Sequence, residues 1–175
     1  IVVINFCKRF LHNEIFNFYH VNQFWGKIFM NHIPVFGEKN EGKDYQARYG
    51  VYSIVARENK EICLVQAPNG AYFLPGGEIE AGEDQEKALH RELMEELGAT
   101  AEIGEFLGQA DEYFYSSHRD KYFYNPAYIY ETKNVHFDSK PLEDFNHISW
   151  FDPKTAISKL KRGSHKWGVQ EWLKK

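Results

Sequence analysis

One short segment limits the choice of fold more than any other part of the chain. Residues 74–99, LPGGEIEAGEDQEKALHRELMEELGA, begin as a glycine-rich loop and continue as an amphipathic helix, predicted over 84–97. Leu89, Leu93 and Leu97 recur at the helical period and form one apolar stripe. Because a helix must bury such a stripe, the segment has to pack against a second layer of structure.

Strands are predicted on both sides of this helix, from β-branched and aromatic residues and from the turns between them. In chain order the predicted strands cover 48–56, 61–67, 71–75, 100–115, 121–131 and 147–151. The first two should form a hairpin. Two C-terminal helices follow, one from Asp152 to about Lys161 and one capped by Ser164 that ends near Leu173. This order predicts one α+β domain, an α/β/α sandwich, over residues 30–175.

The whole-chain composition fits one globular domain. Of the 175 residues, 43% are hydrophobic and 26% are charged, and the net charge is −4. That charge argues against long nucleic acid as a partner but is compatible with a small phosphorylated ligand. No apolar run approaches the ~20 residues that span a membrane, and the start lacks the order of a secretory signal. We therefore expect a cytoplasmic protein with no membrane partner, in which Cys7 and Cys63 are buried thiols rather than one disulfide.

The first 29 residues differ from the remainder of the chain. Phe, Ile, Asn, Lys and Tyr, the residues of AT-rich codons, dominate residues 1–29, which show no sustained period. Trp25 to Lys27 requires G-rich codons shortly before Met30, where a bacterial ribosome-binding site would lie. Two interpretations stay open: a translated leader that precedes a functional protein beginning at Met30, which the composition favours, or an authentic N-terminal helix.

Three acidic residues are crowded near the end of the predicted helix. Glu92, Glu95 and Glu96 share a face, where each like-charge pair costs roughly 0.2–0.5 kcal/mol. The negative end of the helix dipole adds about 0.3–1 kcal/mol per charge. A solvated acidic edge would explain three acids alone. A divalent cation would instead turn repulsion into coordination, and the loop Pro75 to Gly77 brings bare backbone close to the helix. Hard oxygen ligands suit Mg²⁺ or Mn²⁺, which indicates metal-assisted phosphate chemistry.

The same residues carry a specific resemblance. The stretch from Gly77 to Ala99 resembles the Nudix box, G-x5-E-x7-R-E-U-x-E-E-x-G-U, in which U is a bulky aliphatic residue. The positions in register are Gly77, Glu83, Arg91, Glu92, Leu93, Glu95, Glu96 and Gly98. Ala99 departs from the pattern because it is small, which loosens a packing contact without touching the chemistry. The resemblance implies the Nudix fold, with a mixed sheet and the loop and helix of the box between strands.

The resemblance also implies a reaction and a metal. Nudix enzymes hydrolyse a pyrophosphate bond in a nucleoside diphosphate linked to another moiety, here a nucleoside triphosphate or a nucleotide-sugar type of compound. By similarity, the ligands of Mg²⁺ or Mn²⁺ would be Glu92, Glu95, Glu96 and the backbone carbonyl of Gly76. Glu92 is also a candidate general base, and one carboxylate cannot readily serve both purposes, so the base stays open.

Other residues take supporting roles by the same resemblance. Arg91 would pair with Glu83 and orient Glu92, while Glu83 and Gly77 would be structural. Arg91, Glu92 and Glu95 are expected catalytic residues. Some members recruit a further acid from a loop before a late strand. Glu143 or Asp144 occupies that position, and a solvated loop acid is an equal alternative for each.

Clues to the substrate are weaker. The aromatic-rich tract 111–130 could stack a base, although strand alternation explains most of its rings. His118, Arg119 and Lys121 lie in a turn of this tract and could meet phosphates, or could be an ordinary surface loop. The basic residues Lys159, Lys161, Arg162, Lys166, Lys174 and Lys175 are most simply the solvated faces of helices.

Two functions of different classes explain the motif. The first is a metal-dependent hydrolase of a small nucleotide. The second is a Nudix module that senses such a nucleotide without turnover, against which the complete set of acidic residues argues. The expected partner is a small nucleotide in either case. A homodimer is compatible with the sequence, which does not determine the oligomeric state.

Overall fold

The computed structural model describes residues 32–143 and 146–175, which form two β-sheets and three helices. The strands are β1 (Val35–Phe36), β2 (Tyr45–Ala47), β3 (Gly50–Ile54), β4 (Ile62–Gln66), β5 (Tyr72–Phe73), β6 (Gly76–Glu78), β7 (Ala99–Ser116), β8 (Lys121–Phe137) and β9 (His147–Phe151). The helices are α1 (Gln85–Leu97), α2 (Pro153–Lys159) and α3 (Gly163–Trp172). The predicted leader of residues 1–29, Cys7 and Asp144 lie outside the described residues.

The larger sheet is mixed, as predicted. Its strands follow the order β1-β7-β8-β3-β6, and β2 pairs with β8 outside this path. The long strands β7 and β8 form an antiparallel hairpin, whereas β3 runs parallel to β8 and antiparallel to β6. This arrangement places α1 between β6 and β7 and confirms the α+β class.

The predicted hairpin between the first two strands is wrong beyond its turn. β3 belongs to the larger sheet, but β4 lies in a second sheet of order β5-β4-β9. Only the turn contacts remain, with the Cys63 N–H donating to the Val55 carbonyl at 2.9 Å. Because every residue of β3 is buried, that strand needs neighbours on both edges, and β6 and β8 provide them.

Two hydrophobic clusters make the layers of the sandwich. Alternate residues of β3 point in opposite directions: Val51 packs with Leu89 and Leu93 of α1, whereas Ile54 packs with Val169 of α3. The apolar stripe of α1 is completely buried, as the helical period predicts. Helices therefore cover both faces of the strand layer, which is the predicted α/β/α arrangement.

Local chemistry sets the ends of α1. The Asp84 carboxylate accepts a hydrogen bond from the Lys87 N–H at 2.8 Å and caps the N-terminus. Gly98 adopts a left-handed conformation with φ of 62° and ends the helix. Cys63 is a buried free cysteine, and burial raises the pKa of its thiol to about 12.

The two C-terminal helices differ from the prediction at their ends. α2 stops at Lys159, and α3 begins at Gly163 without a side-chain cap. Ser164 is therefore not a cap. Its N–H and its hydroxyl both donate to Glu112 Oε2, at 2.9 and 2.8 Å, because this buried carboxylate supplies the acceptor that a capping side chain would provide. Among the described helices, none has both the length and the apolar character needed to cross a membrane.

Candidate active site

The sequence predicted a loop at Gly76 and Gly77, but both belong to β6 and pair with β3, and their lack of side chains lets this strand lie against both β3 and α1. Gly76 has φ of 130°, and a Cβ atom there would lie 2.2 Å from the Val51 carbonyl oxygen. A Cβ atom on Gly77 would lie 2.3 Å from Glu92 Oε1. A side chain on Gly76 would collide with the backbone of β3, so that position requires glycine, whereas a side chain on Gly77 would displace the Glu92 carboxylate.

Arg91 organises the acidic residues around it. Its guanidinium donates to both oxygens of Glu83, at 2.8 and 2.9 Å, and to the Glu78 carbonyl at 2.9 Å. Its Nη1 donates to Glu92 Oε1 at 2.9 Å and to Glu95 Oε2 at 3.0 Å. The hydrogen bonds from Arg91 lower the pKa of Glu83 to about 2. A planar fork with five donors can hold such an arrangement, whereas an ammonium group cannot.

Glu96 lies deepest among the three helix carboxylates. Its Oε2 accepts a hydrogen bond from the Gly76 N–H at 2.9 Å. Burial, which this bond only partly offsets, together with the nearby charges of Glu92 and Glu143, raises the pKa of Glu96 to about 8. Burial also raises the pKa of Glu92, although Arg91 opposes the shift. The corner therefore resists carrying its full negative charge without a compensating cation.

The side chains as placed do not surround an ion. Within residues 32–143 and 146–175, no three His, Cys, Asp or Glu side chains are arranged to hold a metal. Arg91 binds one oxygen of Glu92 and one of Glu95, and the Gly76 N–H binds one of Glu96. Among the described residues, the second carboxylate oxygen of Glu92, of Glu95 and of Glu96 accepts no hydrogen bond. Three hard oxygen donors thus remain available, which is the donor chemistry that fits Mg²⁺ or Mn²⁺.

The loop after β8 brings Glu143 to the same place. The Glu143 N–H donates to the Glu95 carbonyl at 3.0 Å, and the Asn146 side chain donates to Glu143 Oε2 at 2.7 Å. Glu143 lines an open cleft of about 830 Å³ together with Glu92, Glu95 and Glu96. Asp144, the other candidate acid, lies in the gap between the described ranges.

Two arginines complete the cleft. Arg48 Nε lies 2.9 Å from Glu78 Oε2, and Arg119 Nη1 lies 3.8 Å from the same oxygen. Of the three turn residues that the sequence offered for phosphate contact, Arg119 lines the cleft, whereas His118 and Lys121 do not. Sequence reasoning missed Arg48, because the pairing of β3 with β6 places it there and nothing in the motif marks it.

A smaller chamber of about 200 Å³ adjoins the cleft and shares Gly76, Gly77 and Glu96 with it. Its walls include the buried ring of His165 and the guanidinium of Arg162. The prediction that Arg162 belongs to a solvated helix face is therefore wrong. Its guanidinium carbon lies 3.2 Å from the centroid of the Phe114 ring, and its Nη1 lies 3.8 Å from Glu112 Oε1. A periodicity argument misses this because Arg162 precedes α3 and follows no helical face.

Comparisons with known proteins agree with this architecture. The family model described as NUDIX domain matches residues 46–173. An ADP-ribose pyrophosphatase of Methanocaldococcus jannaschii is 27% identical over 155 residues, covering 78% of this chain and 88% of the relative. A CTP pyrophosphohydrolase of Escherichia coli is 42% identical over 62 residues, which cover 33% of this chain and 45% of that protein.

Solved structures show the same fold. The MutT protein of Bacillus halodurans superposes with a TM-score of 0.58 at 20% identity, covering 73% of this chain and 83% of that structure. The Escherichia coli ORF135 protein gives 0.56 at 21% identity, with 74% and 91% covered. Since the family model spans most of the chain and contains the whole box, this protein belongs to the Nudix hydrolase family.

Proposed function

We propose that the protein hydrolyses a pyrophosphate bond in a nucleoside diphosphate linked to another moiety, with Mg²⁺ or Mn²⁺. The substrate would be a nucleoside triphosphate or a nucleotide-sugar type of compound. The observation that carries this proposal is the acidic corner of Glu92, Glu95 and Glu96, which Arg91 and the Gly76 N–H hold at the edge of the cleft. Holding three partly buried carboxylates close together lowers the stability of the fold, so a purely structural role does not explain them.

The proposed metal ligands are Glu92, Glu95, Glu96 and the carbonyl oxygen of Gly76. A bound divalent ion would supply charge neutralisation at phosphate oxygens and a lowered pKa of bound water. Glu92 and Glu95 each keep one oxygen outside the hydrogen bonds to Arg91. These two oxygens, with Glu96 and the Gly76 carbonyl, would supply the oxygen ligands, and a cation would offset the cost of the partly buried negative charges of Glu92 and Glu96.

Arg91 and Glu83 act as positioning residues in this proposal. The two-bond pairing between them fixes the guanidinium, and the guanidinium fixes one oxygen each of Glu92 and Glu95. Orientation of a ligand by a hydrogen-bonded neighbour typically matters by about 10- to 100-fold in metal affinity or activity.

We assign proton removal from the attacking water to Glu143. It lines the cleft, yet its hydrogen bonds to Asn146 and its backbone bond to Glu95 leave one carboxylate oxygen without a partner among the described residues. Glu92 is the alternative base, but Arg91 already binds it. Glu143→Gln should lower kcat by about 10²- to 10⁴-fold while KM changes little. An unchanged kcat would return the role to Glu92.

In this proposal Arg48 and Arg119 would bind the phosphates of the substrate. Both line the cleft and both point at Glu78, so each brings positive charge to the rim of an otherwise acidic corner. The names of the relatives, which include an ADP-ribose pyrophosphatase and a CTP pyrophosphohydrolase, support a nucleotide as the ligand.

The buried free thiol of Cys63 fits the reducing cytoplasm as the proposed location.

The decisive experiment measures phosphate products from a panel of nucleoside triphosphates and nucleoside diphosphate compounds, with Mg²⁺ and with EDTA. We expect turnover that EDTA abolishes and that Glu96→Gln reduces at least about 100-fold, because a charged ligand is removed. Glu86→Gln is the matched control, since Glu86 lies on the same helix but is exposed and outside the cleft. Tight nucleotide binding without turnover would support the sensing module instead.

A further inference from the structure

The segment that leads to Glu143 is anchored to the C-terminal end of α1. The Asp138 and Ser139 N–H groups donate to the Gly98 carbonyl at 3.0 and 3.1 Å. The Glu143 N–H donates to the Glu95 carbonyl at 3.0 Å. The last turn of a helix leaves carbonyl groups without partners inside the helix, and these bonds supply partners from outside. The backbone of Glu143 is therefore fixed relative to the helix that carries the proposed metal ligands.

These backbone bonds do not set the direction of the Glu143 carboxylate, which several rotatable bonds separate from the backbone. Asn146 Nδ2 donates to Glu143 Oε2 at 2.7 Å. Within residues 32–143 and 146–175, no other group donates a hydrogen bond to this carboxylate. Because an ionised carboxylate can only accept, the amide nitrogen of Asn146 must face it. Asn146 consequently limits the directions that the carboxylate can take.

The Glu143 carboxylate lies close to the acidic corner. Its negative charge contributes to raising the pKa of both Glu92 and Glu96. Asn146 lines the cleft together with these residues, and it also lines the smaller chamber. The hydrogen bond between Asn146 and Glu143 is thus part of the wall of the site.

A neutral donor suits a proton acceptor better than a cation does. An adjacent cation makes a carboxylate a weaker base, because it favours the ionised form. Glu92 is in that position, since the Arg91 guanidinium binds it at 2.9 Å. Asn146 orients Glu143 through an uncharged amide and adds no positive charge beside it.

We propose that Asn146 is a positioning residue that directs the Glu143 carboxylate into the cleft, where Glu143 takes the proton of the attacking water. Asn146 does not touch the reacting atoms, but it restricts the rotation of the side chain that does. This inference rests on the proposed function, because it names a residue that supports the base of the same site.

The contact is tested first by NMR on metal-free, ¹⁵N-asparagine-labelled protein without nucleotide. The side-chain amide signals of Asn146 are identified by their loss in Asn146→Ala. We expect these signals to shift in Glu143→Ala and to stay in place in Glu80→Ala. Glu80 is the matched control because it lines the same cleft, while its side chain shares no hydrogen bond with Asn146 in the described part of the chain. Identical signals in wild type and Glu143→Ala would refute the proposal.

Kinetics then test the role in the reaction. Asn146→Ala should lower kcat by about 10- to 30-fold, or ~1.4–2 kcal/mol, because the glutamate side chain regains its rotamer freedom, while KM changes less than about threefold. Asn146→Asp keeps the shape of the side chain but replaces the donor with a like charge, so it should lower kcat at least as much. Asn40→Ala is the control, since Asn40 is exposed and outside the cleft.

A double variant separates this role from a general loss of structure. Because Asn146 acts through Glu143, Asn146→Ala should cost less than about twofold in kcat when Glu143→Gln is already present. An unchanged kcat in both single variants at Asn146, a change confined to KM, or losses that multiply in the double variant would overturn the proposal. Absence of turnover in wild type, with the NMR shift preserved, would instead contradict the proposed function alone.

Discussion

Glu96 gives the sharpest quantitative prediction, because burial raises its pKa while an isosteric substitution leaves its main hydrogen bond in place. Glu96→Gln keeps an oxygen that can accept from the Gly76 N–H and removes the buried charge. In metal-free protein the folded-state pKa is about 8, against an ordinary value of 4.5. At about 1.36 kcal/mol for each pKa unit, the shift sets an upper limit of about 5 kcal/mol on the cost of this charge above pH 8, and because Glu96 is only partly buried beside the open cleft the cost should be a fraction of that limit.

The sign follows from linkage. Since the pKa of Glu96 is raised in the folded state, the contribution of its protonated carboxyl group to the free energy of unfolding is fully present below pH 4.5. That contribution is lost as the pH rises through about 8. His165 has the opposite pH dependence, because burial lowers its pKa to about 3. The contribution of its neutral ring to the free energy of unfolding is present above pH 6.5 and is lost as the pH falls from 6.5 through about 3. The comparison must therefore be made between wild type and variant at each pH.

The assay is urea unfolding in EDTA at pH 5, 6.5 and 8. We expect wild type and Glu96→Gln to have similar free energies of unfolding at pH 5, and the variant to be more stable by about 1–3 kcal/mol at pH 8. The melting temperature should rise by about 2–4 °C per kcal/mol for a chain of this size. Glu86→Gln should show no such divergence. A variant no more stable than wild type at pH 8 would refute the buried-charge argument.

Three further substitutions test the packing and support of the site. Arg91→Lys should lower kcat/KM by about 10- to 100-fold with the fold retained, because the fork that joins Glu83 to Glu92 is lost; wild-type activity would contradict this. Gly77→Ala should reduce activity while leaving the melting temperature almost unchanged, because its Cβ would displace the Glu92 carboxylate and no backbone atom. A large fall in melting temperature that accounts for the lost activity would contradict this. Leu93→Ala should cost about 2–5 kcal/mol in urea unfolding without altering the Mg²⁺ dependence of activity, whereas a smaller cost would place Leu93 outside the core.

Periodicity and capping predicted α1 and its buried face because both depend on neighbours in sequence. The stripe of Leu89, Leu93 and Leu97, and the end of the helix at Gly98, need only helical geometry and one left-handed residue. The box likewise brought together Arg91 and the glutamates in the sequence itself. These parts of the fold and site could be predicted from the sequence because their contacts are local.

Strand pairing and contacts between residues far apart in sequence could not be predicted in the same way. The polar turn after β3 predicts a hairpin, but a turn cannot reveal that β3 and β4 find their partners in different sheets. The same limit hid the chamber, since Arg162, His165 and Phe114 are brought together only when α3 packs on β7. Glu112 replaced the predicted Ser164 cap for the same reason: the acceptor comes from a distant strand.

Divalent-metal binding by the acidic corner is the central claim, and calorimetric titration of MgCl₂ and MnCl₂ into EDTA-treated, dialysed protein tests it directly. We predict saturable binding to wild type and to Glu86→Gln, and its loss in Glu96→Gln, because the second variant removes a proposed ligand. Absence of binding to wild type, or equal affinity in Glu96→Gln, would contradict the account.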